Sequence, residues 1–143
     1  MAGRSFTFVS GAGSPLSGHL EPPEGTPRGW AIFAHCFTCG KDSRAAVHIS
    51  RALSRAGIGV LRFDFAGTGI GGGTGEPVNF ASDVEDLRAA ANAMAAAGMS
   101  PSLLVGHSLG GTAAIVAAAD MPDIAAVATI GAPADLQHIL RLF

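Results

Sequence analysis

The chain has 143 residues, of which 48% are hydrophobic and 14% are charged, and its formal net charge is −2. This length suits one domain with a packed core, and no apolar run approaches the roughly 18 residues of a membrane-spanning helix. Because lysine and arginine form no cluster, the chain lacks the electrostatic footprint of a nucleic-acid or anionic-membrane binder, and we expect a small, weakly charged substrate.

The N-terminus predicts a cytoplasmic protein, and the cysteines predict no disulfide framework. The segment Met1 to Ser5 lacks the positive charge and apolar stretch that open a secretory signal. The two cysteines, Cys36 and Cys39, form a single close pair. A reducing compartment keeps most such pairs as thiols, so we expect no disulfide framework.

The first half of the chain predicts an antiparallel hairpin followed by alternating strands and helices. Two short extended segments, Ser5–Val9 and Leu16–Leu20, flank a turn rich in glycine and proline. The continuously apolar run Trp30–Ala34 is typical of a buried central strand. Apolar residues recur at helical spacing over Ser43–Ala56, and a strand is expected over Ile58–Phe65.

The second half continues this alternation. After a glycine-rich loop, apolar residues recur at helical spacing as far as Gly98, and the order strand, tight turn, helix follows. A further apolar strand and the start of a last helix complete the chain. The expected segments are the loop Gly67–Gly75, the helix beginning at Phe80, the strand Ser102–Val105, the turn Gly106–Gly111, the helix Thr112–Ala119, the strand Ile124–Ile130 and the helical start Asp135–Phe143.

Strands that alternate with helices after a hairpin predict an α/β fold. Such an order requires right-handed crossovers and a mainly parallel sheet with helices on both faces. The apolar composition fits this sheet, because strands covered on both faces are apolar throughout. We therefore predict a single α/β domain with an N-terminal antiparallel hairpin.

The residues 106–110, Gly-His-Ser-Leu-Gly, match the G-x-S-x-G pattern. That pattern places a nucleophilic serine on a strained turn between a strand and a helix, and the predicted flanking elements meet this requirement. The glycines are a steric condition, because the turn brings the backbone close to itself. The sequence therefore predicts Ser108 as a nucleophile, the alternative being a glycine-rich turn that matches by chance.

Two backbone N–H groups are candidates for an oxyanion hole. Ser108 is expected at a helix N-terminus, where unpaired N–H groups and the helix dipole favour a developing oxyanion, and the Leu109 N–H is one natural donor. The second donor is expected from the loop after the preceding central strand, residues 35–38. Its candidate is the Phe37 N–H.

Four motifs in order resemble the α/β-hydrolase family over nearly the whole chain. They are Ala34-His-Cys-Phe-Thr-Cys39, Arg62-Phe-Asp-Phe-x-Gly-x-Gly69, Gly106-His-Ser-Leu-Gly-Gly111 and Ile130-Gly-Ala-Pro-Ala-Asp135. More narrowly, the chain looks like the hydrolase region fused to an OsmC-type peroxide-reducing domain, in which a similar His-Cys-Phe-Thr-Cys stretch follows the central strand. The resemblance implies that Asp64 and its glycines mainly hold the loop.

The resemblance also implies the sheet order 1-2-4-3-5-6-7-8, with the triad acid after strand 7 and the base histidine after strand 8. The chain then looks truncated after strand 6, as residues 1–143 of a longer hydrolase domain without the OsmC-type domain. We expect this chain to be almost inactive, because serine without its base is a weak nucleophile. Ile124–Ile130 would form an apolar sheet edge, which predicts self-association.

The five histidines offer no base at the expected late position. His35 and His107 lie beside the oxyanion loop and the nucleophile, where histidine more often has a structural role, and His19 and His48 lie in early elements. A minority arrangement remains open, in which Ser108, His138 and Asp135 form a triad. The last two follow the sixth strand at i, i+3 spacing.

Three alternatives belong to other functional classes. Cys36 and Cys39 have the C-x-x-C spacing of a dithiol redox centre, although a redox domain of that kind would not explain the G-x-S-x-G turn. Residues 67–72 match G-x-G-x-x-G, but no helix follows them directly. The third alternative is a hydrolase-like fold that only binds a ligand.

The main hypothesis is a serine hydrolase. We expect cleavage of a carboxylic ester, thioester or related acyl bond through an acyl-Ser108 intermediate, with no metal or organic cofactor. The acyl length of the substrate is not readable, since the cap of this fold normally follows strand 6.

Overall fold

The computed structural model describes residues 3–36, 39–66, 80–135 and 137. None of the helices in these ranges has the length and apolar character needed to span a lipid bilayer. The described elements, in chain order, are β1 (Arg4–Val9), β2 (Pro15–Glu21), β3 (Gly29–Ala34), α1 (Arg44–Arg55), β4 (Ile58–Phe63), α2 (Phe80–Ala96), β5 (Leu103–His107), α3 (Leu109–Ala118) and β6 (Ala126–Ile130).

The six strands form one sheet in the order β1-β2-β4-β3-β5-β6. Strand β2 pairs antiparallel with both β1 and β4, whereas β3 pairs parallel with β4 and β5, and β5 pairs parallel with β6. The predicted hairpin, the mainly parallel sheet and the first six positions of the predicted strand order are confirmed.

Four predicted boundaries are wrong by two residues or more. Strand β5 ends at His107 instead of Val105, because Gly106 and His107 continue the pairing with β6. Strand β4 ends at Phe63 instead of Phe65, because the N–H groups of Phe65 and Ala66 donate to side chains, to Nε2 of His35 at 3.3 Å and to Oδ2 of Asp86 at 3.0 Å. Helix α3 begins at Leu109 instead of Thr112, directly after the serine. Strand β6 begins at Ala126, since the preceding residues form a turn after α3.

Two predicted segments lie outside the described residues. The glycine-rich loop Gly67–Gly75 is one of them. Of the helical start predicted over residues 135–143, the structure describes only Asp135 and Gln137.

The core has one layer on each face of the sheet. Alternate residues of a strand point to opposite faces, and on β3 both sets are fully buried: Phe33 packs with Ala46 of α1, while Ile32 packs with the apolar faces of α2 and α3. A strand covered on both faces has to be apolar throughout. The run Trp30–Ala34 has this character.

Strand β6 forms one edge of the described sheet. Four of its five residues are exposed, and Ile130 retains 42% of its accessible surface. The exposed side chains Ile115 and Val116 belong to the neighbouring helix α3. The predicted apolar edge is therefore present in the described sheet.

Candidate active site

Ser108 occupies the tight turn between β5 and α3. Its backbone has φ 56° and ψ −124°, and among the described residues it is the one non-glycine residue with positive φ. An L-residue in this region is strained by about 1–3 kcal/mol and persists only where the surroundings enforce it. A strained serine between a strand and a helix is the geometry expected of a nucleophile elbow.

The glycines of the turn are required by backbone contacts. A Cβ on Gly106 would lie 2.5 Å from the Gly110 oxygen and 2.5 Å from the Gly111 nitrogen. A Cβ on Gly110 would lie 2.7 Å from the Ala34 carbonyl carbon and still closer to the carbonyl oxygens of Ala34 and His35. The turn thus packs directly against the end of β3, as the steric interpretation of the motif predicts.

Hydrogen bonds connect the turn to the end of β6. The Ser108 N–H donates to the Ile130 carbonyl at 2.8 Å, and the Gly111 N–H donates to the Ser108 carbonyl at 2.9 Å. The Thr112 hydroxyl donates to the Pro133 carbonyl at 3.1 Å. The serine is therefore held at the carboxyl ends of the parallel strands, where ligands bind in open α/β sheets.

Of the two predicted oxyanion donors, Leu109 lies among the described residues and Phe37 does not. Leu109 is the first residue of α3, so its N–H has no acceptor within the helix, and its side chain is buried. Phe37 lies outside the described residues, although the adjacent Cys36 is described. The oxyanion roles of both residues stay predictions.

His35 has a structural role at the end of β3. The residue is buried, its Nε2 accepts from the Phe65 N–H at 3.3 Å, and its Nδ1 contacts the Cys36 carbonyl. Burial lowers the pKa of His35, against the raising effects of the Cys36 carbonyl and the Asp64 carboxylate. A neutral ring that donates from Nδ1 and accepts at Nε2 satisfies both contacts, so His35 connects the ends of β3 and β4 and has no free nitrogen to serve as a base.

Asp64 holds the chain that follows the predicted oxyanion loop. Its Oδ1 accepts from the Lys41 N–H at 2.8 Å, and its Oδ2 lies 3.5 Å from the Lys41 ammonium. The carboxylate is buried, and a buried charge requires such partners. These contacts agree with the structural role expected for Asp64.

The cysteines differ from the prediction. Cys36 and Cys39 form a disulfide, so the expectation that they remain thiols is wrong in this structure. The three-residue separation and the Cys39 N–H that donates to the Cys36 carbonyl at 3.3 Å bring the two Cα atoms within bonding reach, 5.3 Å apart. A ring nitrogen of His107 lies within 4.8 Å of both sulfurs.

The remaining histidines supply no base in the described part of the chain. His48 is exposed on α1, and Nε2 of His19 lies 3.2 Å from the Glu21 carboxylate. His138 lies outside the described residues, while Asp135 is exposed beyond β6. Between residues that the structure describes, no hydrogen bond joins the Ser108 hydroxyl to a histidine. The triad of Ser108, His138 and Asp135 stays a prediction.

A pair of buried carboxyl groups was not predicted. The Asp86 carboxylate accepts a hydrogen bond from the Ala66 N–H at 3.0 Å. Burial raises the pKa of the Asp83 carboxyl to about 7, and the nearby charge of Asp86 contributes to this rise. Both aspartates are buried on α2. Their spacing places them on the same helix face as the apolar Phe80 and Leu87, and this is the sequence signal that could have identified them.

A cavity of about 150 Å³ lies away from the serine. Its lining includes Pro101 and Ile124, which precede β5 and β6, whereas Ser108 follows β5. The cavity is therefore at the amino ends of the strands, and we do not assign it to the active site.

Comparison with known proteins identifies the family. Residues 25–142 match the family model described as serine aminopeptidase, S33. No protein with a curated description matches the chain. A crystal structure of the esterase domain of a Rhodothermus marinus protein has 45% identity and a TM-score of 0.79, over 98% of this chain and 54% of that one.

A second solved structure is XC6422 from Xanthomonas campestris, described as an α/β serine hydrolase without a lid, with 25% identity and a TM-score of 0.83 over 95% of this chain and 64% of that one. A carboxyl esterase from Bacillus coagulans, at 21% identity and a TM-score of 0.79 over 99% of this chain and 48% of that one, shares the fold. The chain thus spans about half to two-thirds of the length of these structures. It belongs to the serine aminopeptidase S33 family of α/β-hydrolases.

Proposed function

We propose that this protein is a serine hydrolase that cleaves carboxylic esters, thioesters or related acyl bonds through an acyl-Ser108 intermediate. The observation that supports this function best is the strained backbone of Ser108 in a strand-turn-helix whose glycines meet backbone on two sides. Strain of this kind in a hydroxyl-bearing residue is characteristic of functional sites.

The proposed reaction has two acyl-transfer steps. The Ser108 oxygen attacks the acyl carbon while a base takes the hydroxyl proton, and the carbonyl oxygen becomes an oxyanion. The N–H groups of Leu109 and Phe37 stabilise that charge. The bond to the leaving group then breaks, the leaving group takes the proton, and water releases the acid from Ser108 by the same route. No metal or organic cofactor enters these steps.

The acid and base of the triad are the unassigned part of this proposal. Among the described residues, His35 uses both ring nitrogens, and His48 is exposed on α1. His19 contacts Glu21, and a ring nitrogen of His107 lies beside the cysteine sulfurs. We therefore propose that residues beyond β6 activate Ser108, and that the described residues without them have little activity. A cytoplasmic location and fusion to an OsmC-type domain stay predictions from the sequence.

The proposal is tested by labelling with a fluorophosphonate, which reacts with activated serines whatever their substrate. We would measure intact mass after labelling the protein in its full-length form, its Ser108→Ala variant and the matched control Ser102→Ala, which removes an exposed hydroxyl directly before β5. We expect one adduct in the protein and the control, and none in Ser108→Ala. Adducts that persist in Ser108→Ala would refute the assignment.

The ligand-binding alternative predicts another outcome. If the folded protein, in its full-length form, gives no adduct and hydrolyses no acyl ester, Ser108 is not activated and the fold serves only to bind. Labelling of residues 1–143 alone would instead show that a base lies within them, with His138 as the remaining candidate.

A further inference from the structure

The disulfide next to the catalytic turn is the strongest feature that the proposed hydrolase chemistry leaves unused. Cys36 and Cys39 are each only partly buried, so a reagent in solvent has access to them. The bond closes a ring of four residues. So short a loop constrains the unfolded chain little, and the disulfide therefore contributes less stability than one that closes a long loop. The position of the disulfide beside the Ser108 turn and the partial exposure of both cysteines favour a reactive disulfide over a structural one.

His107 gives the sulfurs a polar neighbour. A ring nitrogen of His107 lies within 4.8 Å of both sulfur atoms, and its Nδ1 is buried without a hydrogen-bond partner in the described part of the chain. An imidazole near a cysteine stabilises the thiolate, and a better thiolate is also a faster leaving group in disulfide exchange. His107 directly precedes Ser108, so one residue lies both beside the sulfurs and next to the turn that carries the proposed nucleophile.

A second contact connects the disulfide to the catalytic turn through the backbone. Gly110 approaches the carbonyl oxygens of Ala34 and His35 so closely that a Cβ would not fit. His35 is followed directly by Cys36, and its ring contacts the Cys36 carbonyl. Because these atoms are close-packed, a change in the backbone at Cys36 is transmitted to the turn that carries Ser108.

We propose that Cys36 and Cys39 form a reversible redox centre that exchanges with small thiols and dithiols, and that its oxidised form holds Ser108 in the more reactive arrangement. The exchange itself does not depend on the proposed function, whereas the effect on Ser108 rests on it. The disulfide limits the conformations open to Cys36 and Cys39, and preorganised groups stabilise a transition state better than mobile ones.

The exchange balances with a dithiol as reductant. A thiolate of the reductant bonds to one cysteine sulfur, and the bond between Cys36 and Cys39 breaks, its electron pair leaving on the other sulfur. A proton, relayed by His107, converts that thiolate to a thiol. The second thiol of the reductant then attacks the mixed disulfide and releases the second cysteine, so that two electrons and two protons pass from the dithiol to the protein.

Exchange is tested on the folded protein with dithiothreitol and with reduced glutathione. Samples are quenched in acid and alkylated with N-ethylmaleimide, and intact mass counts the free thiols. We expect two adducts after reduction in native buffer and none after treatment with oxidised glutathione. The proposal is overturned if two adducts form only after the protein is unfolded, or if oxidised glutathione fails to restore the bond.

The role of His107 has its own control. Replacing an imidazole that stabilises the leaving thiolate slows exchange by on the order of 10-fold. We therefore expect His107→Asn to lose its disulfide about 10-fold more slowly to dithiothreitol, while His48→Asn, at an exposed position of α1, matches the wild type. Equal rates in all three proteins would remove His107 from the proposal.

The effect on Ser108 is measured by the rate of fluorophosphonate labelling in the two redox states. We expect the oxidised protein to react about 10-fold faster, less than the 10²–10³ lost when an oxyanion donor is removed. The double variant Cys36→Ser, Cys39→Ser should keep the slow rate in either redox buffer. Equal labelling rates would overturn the coupling, whereas no labelling in either state would refute the proposed function and leave the thiol count as an independent result.

Discussion

The substitution Gly110→Ala separates two effects of opposite sign. Gly110 lies in helix α3, and in an ordinary helix interior alanine is more stable than glycine by about 1 kcal/mol. Here the new Cβ would lie 2.7 Å from the Ala34 carbonyl carbon and closer still to two carbonyl oxygens. All of these are backbone atoms, so no side chain can rotate away, and overpacking of this kind costs about 1–3 kcal/mol or more.

The steric cost at the upper end of that range is about 3 kcal/mol, and the higher helix propensity of alanine offsets about 1 kcal/mol of it. We therefore expect the free energy of unfolding to fall by about 2 kcal/mol. For a chain of this size the loss lowers Tm by about 4–8 °C. Urea unfolding followed by circular dichroism measures it. The control is Gly11→Ala, where the nearest heavy atom to a new Cβ is 3.9 Å away, and we expect a change within about 0.5 kcal/mol. A Gly110→Ala protein as stable as the wild type would refute the steric account of the motif.

Four further predictions concern other parts of the described structure. Ser108→Gly should be more stable than Ser108→Ala by about 1 kcal/mol in urea unfolding, because glycine relieves the strain at φ 56°; equal stability would mean that the turn is not strained. Because burial raises the pKa of Asp83 from 3.8 to about 7, the native state holds this proton more tightly than the unfolded chain does. The stability contributed by this proton is fully present below about pH 4, and roughly 4 kcal/mol of it is lost as the pH rises through 7. Asp83→Asn should remove this contribution in urea titrations at several pH values. Glu21→Ala should cost about 1–3 kcal/mol, because it removes the 3.0 Å contact of the buried Arg62 guanidinium, which keeps a longer contact of 3.8 Å with Asp42. Glu85→Ala, in an exposed pair, should cost less than about 1 kcal/mol. The exposed edge of β6 should make residues 1–143 self-associate, and a concentration-independent monomer in size-exclusion chromatography would contradict this.

Much of the fold was predictable, because the patterns that encode it are local. The apolar run Trp30–Ala34 predicts a strand buried on both faces, and the order strand, turn, helix around Ser108 predicts the tight turn that carries it. The start of α3 lies three residues earlier than predicted, because glycine is typical of turns. Gly110 and Gly111 instead lie within the helix, where they permit close backbone contact.

Other features depend on contacts between distant segments, which periodicity does not encode. His35 meets the Phe65 N–H across two strands, and Asp86 meets the Ala66 N–H from α2, so neither role follows from local pattern. The expectation of thiols at Cys36 and Cys39 depends on the cellular compartment, whereas the disulfide depends on a local backbone that places the two Cα atoms 5.3 Å apart.

The central claim, that Ser108 is the nucleophile, is tested most directly by trapping its acyl intermediate. The full-length protein would be mixed with an activated acyl ester, quenched in acid within the first turnover, and mapped by peptide mass spectrometry. We predict one acyl group on Ser108, absent in Ser108→Ala and present in Ser102→Ala. An acyl group on any other residue, with Ser108 unmodified during turnover, would contradict the account.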